Sequence, residues 1–394
     1  MKWLVAALAT AAFAVAAYWA YPFLREESPT VRVVDRSAEL RQASDARRIG
    51  LGYDPVDRTN EGYPPPLVRE PLDEATVELF FPSVDSNESC LYDPHEYTRR
   101  APHFDRWFPF NEHPDGGWRL RTNALGMRSD GEVAEVAPDL RVLVTGDSHV
   151  EGVCANSESC ASVLERLLAE DALDQSVEVL NAGAGAHHLF NYVGTFERFA
   201  YLEPDVFVVI VYGGNDFSGA MLLDRYFRRR PAYEIRPNMI EQQSLPESVS
   251  SLLPQELSQD IYFANNPEDV EAAVDLGCSV SVELSELCAE RGTRLLFVYL
   301  PPPTRAQPEV FREDLERLMK FARMESSALG VSDRIADEWL QFLADRGLDH
   351  LDLRPAFRAA EEPLFWRTDH HLNVAGHRLV GERIHAHLRG DAPR

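Results

Sequence analysis

The stretch Leu140–Gly152, LRVLVTGDSHVEG, decides how the rest of the chain is read. Leu140 to Val144 are apolar in bias and run without a break into Gly146-Asp147-Ser148. An apolar, β-branched run bounded by glycine reads as a buried strand of a parallel sheet. Beyond it, Val163, Leu164, Leu167, Leu168 and Leu173 recur at roughly helical spacing, so a helix is expected to follow. Ser148 therefore stands where a strand ends and the chain turns toward a helix. Ligands of open α/β sheets bind outside the carboxyl ends of the strands, so a serine there is placed to be a nucleophile. It still needs a base and an oxyanion site, because Gly-Asp-Ser alone is a weak signal.

Downstream the same pattern recurs. Val177–Leu180 is a short apolar run ending in Asn181-Ala182-Gly183-Ala184-Gly185-Ala186, and His188–Leu202 reads as a helix. Asp205–Tyr212 is the strongest strand in the chain and ends in Gly213-Gly214-Asn215-Asp216. Residues 217–265 look inserted. Pro267–Gly292 is helical by period, and Arg294–Leu300 is a strand ending in Pro301-Pro302-Pro303. Helices follow at 308–324 and 332–346, then a last strand Asp349–Leu353 and a closing helix Ala375–Leu388. Strands alternating with helices predict βαβ units and a mostly parallel sheet covered on both faces. The strand ends at Ser148, Gly183, Asn215 and Pro301 are expected to converge on one edge.

Upstream, residues 27–139 read as an accessory region rich in proline, charge and aromatic rings. Pro64-Pro65-Pro66 marks an extended segment, and Val77–Phe81 has the composition of a short strand. Between Tyr92 and Arg128, Tyr97, Phe104, Trp107, Phe108, Phe110 and Trp118 lie among Arg99, Arg100, Arg106, Arg119 and Arg121. So many large rings are expected to fold against the main domain. They could also border a substrate groove.

The composition narrows the functional classes. With 394 residues there is room for one large α/β domain plus additions, or for two domains. A net charge of −25 argues against non-specific binding to nucleic acid or to anionic membrane surfaces. Met1-Lys2 precedes an apolar run, Trp3 to Ala20. Residues 1–26 then read either as a signal peptide, with Ala14-Val15-Ala16 as a cleavage site, or as an uncleaved anchor. Both place the bulk of the chain outside the cytoplasm: periplasmic, envelope-anchored or secreted. Membrane contact is expected only through this segment. Five cysteines (Cys90, Cys154, Cys160, Cys278, Cys288) suit an oxidising compartment without forming a dense framework. Cys154 and Cys160 read either as a bridge pinning the loop after Ser148 or as two small buried hydrophobes.

Near the C-terminus lies Thr368-Asp369-His370-His371-Leu372-Asn373, leading into Ala375-Gly376-His377. A loop carrying Asp and His just before a terminal helix can present both side chains to the strand edge. The serine needs an imidazole to take its proton, and the imidazole needs an orienting carboxylate. His371 and Asp369 supply both. Oxyanion donors are the Ser148 N–H, a backbone N–H of the glycine-rich turn at Gly185 or Ala186, and the Asn215 side-chain amide.

These segments resemble the SGNH (GDSL) hydrolase superfamily: Gly-Asp-Ser, a Gly-containing turn, Gly-x-Asn-Asp, then Asp and His near the C-terminus, in the family's order. The resemblance implies a flavodoxin-like α/β/α sandwich over 140–394 and acyl transfer or ester hydrolysis through a serine acyl-enzyme. It implies Ser148 as nucleophile, Asn215 as oxyanion donor, His371 as base and Asp369 as its orienter. The family's second-block glycine, counted from Asn181, falls on Ala186. Asp-x-His in place of the common Asp-x-x-His resembles the branch with alginate and other exopolysaccharide O-acetylation proteins. Arg121–Arg128 also looks like a feature of exported members.

No metal or other cofactor is expected. His149, His187, His188 and His370 include adjacent pairs, which seldom ligate one ion. Asp147 and Asp216 read as structural carboxylates. Arg228-Arg229-Arg230 reads as a solvated run or as a patch for an anionic sugar, with Arg228 and Arg229 as its substrate-binding candidates. The expectation is an exported serine esterase, or acyltransferase, for O-acyl groups (acetyl foremost) on a carbohydrate. The alternative is a non-catalytic carbohydrate-binding or polysaccharide-assembly protein. A Rossmann-type nucleotide binder fails on the absence of G-x-G-x-x-G after the first strand.

Overall fold

The computed structural model describes residues 64–81, 88–171, 174–228, 257–322, 324 and 326–390. Its centre is a five-stranded sheet of β5 (Leu140–Thr145), β6 (Val177–Asn181), β7 (Val206–Tyr212), β8 (Arg294–Leu300) and β9 (His350–Asp352). The spatial order is β6-β5-β7-β8-β9 and every pairing is parallel. Counted from β5 this is the flavodoxin order 2-1-3-4-5. The chain moves outward from β5 to β6, then returns to the other flank as β7. A crevice opens where the strand order reverses, at the carboxyl ends of β5 and β7. Ser148 and Asn215 follow those two strands.

Parallel strands joined by crossover helices must bury both faces, and alternate residues divide between two cores. Phe207, Val209, Val211, Phe297 and Tyr299 face the helices Leu189–Phe199, Asp216–Phe227, Asp269–Arg291 and Val331–Asp345. Val206, Val208, Ile210, Leu296 and Val298 face Cys160–Asp171 and Val374–Arg389. The long helix stops at Gly292, whose φ of 69° supplies the left-handed cap that favours glycine.

Ahead of the sheet lie two antiparallel hairpins, β1 (Cys90–Asp93) with β2 (Tyr97–Arg100), and β3 (Asp105–Pro109) with β4 (Gly117–Arg121). Leu67, Leu72, Val77, Phe81 and Tyr97 join the same core as the first helix layer. Val77–Phe81 is not a strand: it lies in the helix Glu74–Phe80 and its cap. Asp73 accepts from the Thr76 N–H at 2.9 Å, and Glu74 sits in the positive first turn, so capping overrides the local composition. Residues 217–265 open and close with helices Asp216–Phe227 and Ser258–Asn265, and 229–256 lie outside the described residues. The bridge between Cys154 and Cys160 is not formed. Cys154 and Cys160 are separate buried thiols, and burial pushes both up to about 12. Residues 1–26 lie outside the described residues, among which no helix is long and apolar enough to cross a membrane.

Gly194 shows how tightly the accessory region is seated. A Cβ there would stand 2.4 Å from the His95 carbonyl oxygen and 2.6 Å from Glu96 Cα, so the helix Leu189–Phe199 touches that backbone directly. Gly194→Ala is expected to cost about 1–3 kcal/mol through overpacking, measured by urea unfolding. Unchanged stability would show that this seam gives way freely.

Candidate active site

The turn that carries Ser148 is fixed by local bonds. Asp147 takes the N-cap position of the short helix Ser148–Glu151, accepting from the His149 N–H at 2.8 Å. Gly146 admits the close return of the chain, since a Cβ there would lie 2.2 Å from a Val150 methyl. Ser148 thus opens a helical turn with its own N–H directed outward.

The imidazole that meets Ser148 arrives from the far end of the chain. His371 Nε2 stands 2.9 Å from Ser148 Oγ. Asp369 Oδ1 accepts from the His371 backbone N–H at 3.0 Å, and Oδ2 lies 3.5 Å from His371 Nδ1. That second separation is longer than a good hydrogen bond, so in this geometry Asp369 acts on the ring chiefly through its charge. His370 adopts φ 61°, which folds Asp369-His370-His371 tightly enough for a carboxylate two residues back to meet the ring. The loop closes through Trp366 N–H to the His371 carbonyl, 2.9 Å, and His370 N–H to the Trp366 carbonyl, 3.1 Å.

Behind His371 the His149 ring lies 4.8 Å away, itself 3.9 Å from the Tyr212 ring. This stack limits rotation of the imidazole. Burial alone would lower the pKa of His371, but the carboxylates of Asp369, Asp147 and Glu151 outweigh it, and the net shift is upward. Asp147 and Asp216 are both buried, and burial holds both carboxyl groups well above the usual range, with the Glu151 charge adding to the rise at Asp147 and the Asp147 charge to that at Asp216. Asp216 also fixes the turn after β7, accepting from Tyr212 N–H at 2.8 Å and Tyr192 O–H at 2.7 Å.

The oxyanion candidates differ in availability. A Cβ on Gly185 would lie 4.0 Å from Ser148 Cβ, so that turn borders the nucleophile. The Gly185 N–H, however, donates to Glu151 Oε2 at 2.9 Å, and Glu151 is also paired with Arg100 of β2. Ala186 is exposed, has φ 64°, and its N–H meets no described acceptor. A left-handed φ is where glycine is at ease, so Ala186 holds a conformation that few side-chain-bearing residues adopt. Asn215 heads the helix Asp216–Phe227 without a side-chain bond to it, leaving the amide available. Among the described residues the Ser148 N–H, the Ala186 N–H and the Asn215 amide have no hydrogen-bond acceptor, whereas the Gly185 N–H is taken by Glu151.

Arg228 is not brought to Ser148. It pairs with Asp224 at 2.6 Å and donates to the Pro66 carbonyl at 3.1 Å. It stands at the far end of the 12-residue helix that Asn215 heads, roughly 18 Å along the axis. Arg229 lies outside the described residues. The other histidines are dispersed: His187 Nε2 contacts the Thr98 carbonyl at 2.9 Å, and His188 stacks on Phe81. Burial drops them to about 4 and about 3. Among the described residues no group of three or more His, Cys, Asp or Glu could hold a metal ion.

Sequence reasoning singled out Arg121–Arg128 without finding its purpose. Asn123 Oδ1 accepts from the Leu125 and Met127 N–H groups, and that turn sends Arg128 inward. The buried Arg128 guanidinium donates to the Glu151 and Cys154 carbonyls, to Gly152 O at 2.6 Å and to Asn156 Oδ1 at 2.8 Å. It thereby satisfies the carbonyls left open at the end of the Ser148 helix.

Residues 268–394 match the family model described as the SGNH hydrolase-like domain of acetyltransferase AlgX. No curated protein matches. Among solved structures, the chain is similar to LAE5, an alpha/beta hydrolase enzyme from the metagenome of Lake Arreo, Spain, with 14% identity, 66% of this chain and 99% of that one covered, and a TM-score of 0.39. It is also similar to a catalytic mutant of Axe2, an acetylxylan esterase from Geobacillus stearothermophilus, with 10% identity, 65% and 96% covered, and a TM-score of 0.37. A putative lipolytic protein of the G-D-S-L family from Desulfitobacterium hafniense DCB-2 has 13% identity, 63% and 99% covered, and a TM-score of 0.35.

Arg128→Ala removes the donor from several buried carbonyls at once. At about 1–3 kcal/mol for each group left unsatisfied, the loss should reach about 3 kcal/mol or more in urea unfolding. A change below about 1 kcal/mol would mean those carbonyls find water.

Proposed function

We propose that this chain, whose residues 268–394 match the SGNH hydrolase-like domain of acetyltransferase AlgX, is a serine esterase or O-acyltransferase. Its substrate is an O-acyl group, foremost O-acetyl, on a carbohydrate. The observation that carries this reading is the 2.9 Å contact between Ser148 Oγ and His371 Nε2, with Asp369 beside the same imidazole. Export rests on the apolar run Trp3 to Ala20 after Met1-Lys2.

His371 Nε2 takes the Ser148 proton as Oγ attacks the acyl carbon. The oxyanion forms beside the Ser148 N–H, with the Ala186 N–H and the Asn215 amide as the other donors, none of which adds a titrating charge. The Asp369 charge stabilises the imidazolium, which then protonates the leaving sugar oxygen. Water or a second hydroxyl, deprotonated by the same imidazole, attacks the acyl-enzyme and releases Ser148. Hydrolysis and transfer differ only in that second nucleophile.

Hydrolysis of an activated acetate ester, and labelling by a fluorophosphonate probe, should both depend on Ser148 and His371. Ser148→Ala or His371→Ala should lower kcat by about 10³-fold or more. Folded wild-type protein that neither hydrolyses nor labels would overturn the reading.

The base works neutral, so kcat/KM should rise with pH through the His371 titration. Since its pKa is raised, that limb should lie above the ordinary imidazole value of about 6.5. Asp369→Asn removes the main raising charge while burial remains. The limb should then move to lower pH, together with a loss of kcat. An unmoved limb would show that another group titrates.

A further inference from the structure

The hairpin of β3 and β4 reaches the catalytic loop through one carboxylate. Glu112, in the turn between those strands, accepts from the Arg367 N–H with Oε2 and from the Thr368 N–H with Oε1, each at 2.7 Å. The Thr368 hydroxyl also donates to Oε1. These bonds join residues 255 and 256 positions apart. They end one residue before Asp369 and three before His371. Backbone N–H groups donating to an ionised carboxylate make the stronger, charge-assisted kind of hydrogen bond.

The same turn grips the loop in other ways. The Phe110 ring meets the Trp366 ring edge-on at 5.3 Å, and the His113 ring lies 6.0 Å from it. Trp366 Nε1 donates to the Val153 carbonyl at 2.9 Å, and His113 Nε2 contacts Glu158 Oε2 at 2.9 Å. The turn from Phe110 to His113 thus bridges the loop after Ser148 and the loop before His371. Loop backbone N–H groups at the surface would otherwise be hydrated and free to shift.

We infer that Glu112 is a positioning residue: its carboxylate, bonded to the backbone of Arg367 and Thr368, sets the loop so that Asp369 and His371 meet Ser148 in register. It touches neither substrate nor the reacting atoms. The inference rests on the proposed serine mechanism, and it assigns the accessory region a part in the chemistry.

The test compares Glu112→Ala with Glu112→Gln, which keeps an acceptor oxygen for one of the two N–H groups. Misplacing a catalytic group by about 1 Å can cost about 10²-fold in rate. Glu112→Ala should therefore lose kcat by about 10- to 10²-fold with KM within about threefold, and Glu112→Gln should recover part of that loss. A second readout needs no turnover: the His371 ring titration, followed by NMR on histidine-labelled protein and assigned with His371→Ala. The groups facing this ring are Asp369, Asp147, Glu151, His149 and His377. If Glu112 holds Asp369 beside the ring, the His371 titration should fall in Glu112→Ala and stay nearer wild type in Glu112→Gln.

Wild-type kcat and an unmoved His371 titration in Glu112→Ala would overturn the inference. So would a loss of kcat that only follows the loss of folded protein. Should wild-type protein be inactive toward every ester, the serine mechanism fails, yet the NMR comparison still decides whether Glu112 positions His371.

Discussion

One hydrogen bond, from Ser148 Oγ to His371 Nε2, joins residues 223 positions apart. Much of the surrounding structure holds its two ends still. At the serine end, Asp147 caps the turn and Arg128 ties down the carbonyls behind it. At the histidine end, Trp366 closes the loop, His370 accepts a strained φ, and the His149 ring backs the imidazole. A bond between two neutral groups contributes only about 1 kcal/mol to stability, too little to hold two segments of this length in register. The geometry has to be prepared by packing elsewhere, and the bond is a consequence of it.

The charges around that bond follow the same logic. Asp147, Glu151 and Asp369 all act on one imidazole and favour its charged form. In the proposed reaction the imidazole gains a proton, and charges already in place would stabilise that ion. Unchecked, the field would oppose an oxyanion a few ångströms away. Arg100 pairs with Glu151, and the Gly185 N–H donates to the same carboxylate, so that charge is partly neutralised beside the Ser148 turn. Asp216, by contrast, is held toward its neutral form by burial and by the neighbouring Asp147 charge.

The sheet, the nucleophile turn and the terminal Asp-x-His were legible in the sequence for a simple reason. Each is a local pattern, an apolar run ending in Gly, Asn or Asp, or a polar pair just before a helix. Leu140–Thr145 and Val206–Tyr212 announce themselves by composition alone. Val77–Phe81 misled because a short apolar run does not specify helix or strand, and the deciding residue, Asp73, stood outside it. The two hairpins carry no two-residue Asn-Gly turn to mark them. Tyr97 takes φ 65° immediately after the first turn, which no residue preference suggests. Gly185 was a sound candidate by position, but only the folded chain shows its N–H donating to Glu151. Contacts such as Arg100 with Glu151 and Arg128 with Cys154 depend on how elements meet, and no spacing rule reports them.

These long-range contacts also explain why the accessory region cannot be treated as a separate attachment. Arg100 meets Glu151 at the nucleophile turn, and Arg128 reaches the loop behind Ser148. Both come from residues ahead of β5, whereas Asp369 and His371 come from the last loop of the chain. The switch point of the sheet provides only the crevice. Arg100 of the first hairpin and Trp366 of the C-terminal loop both bond to the segment that follows Ser148, so that segment is held from both ends of the chain. The five strands all lie between Leu140 and Asp352, yet the residues that hold the Ser148–His371 pair in place are drawn from both ends of the chain.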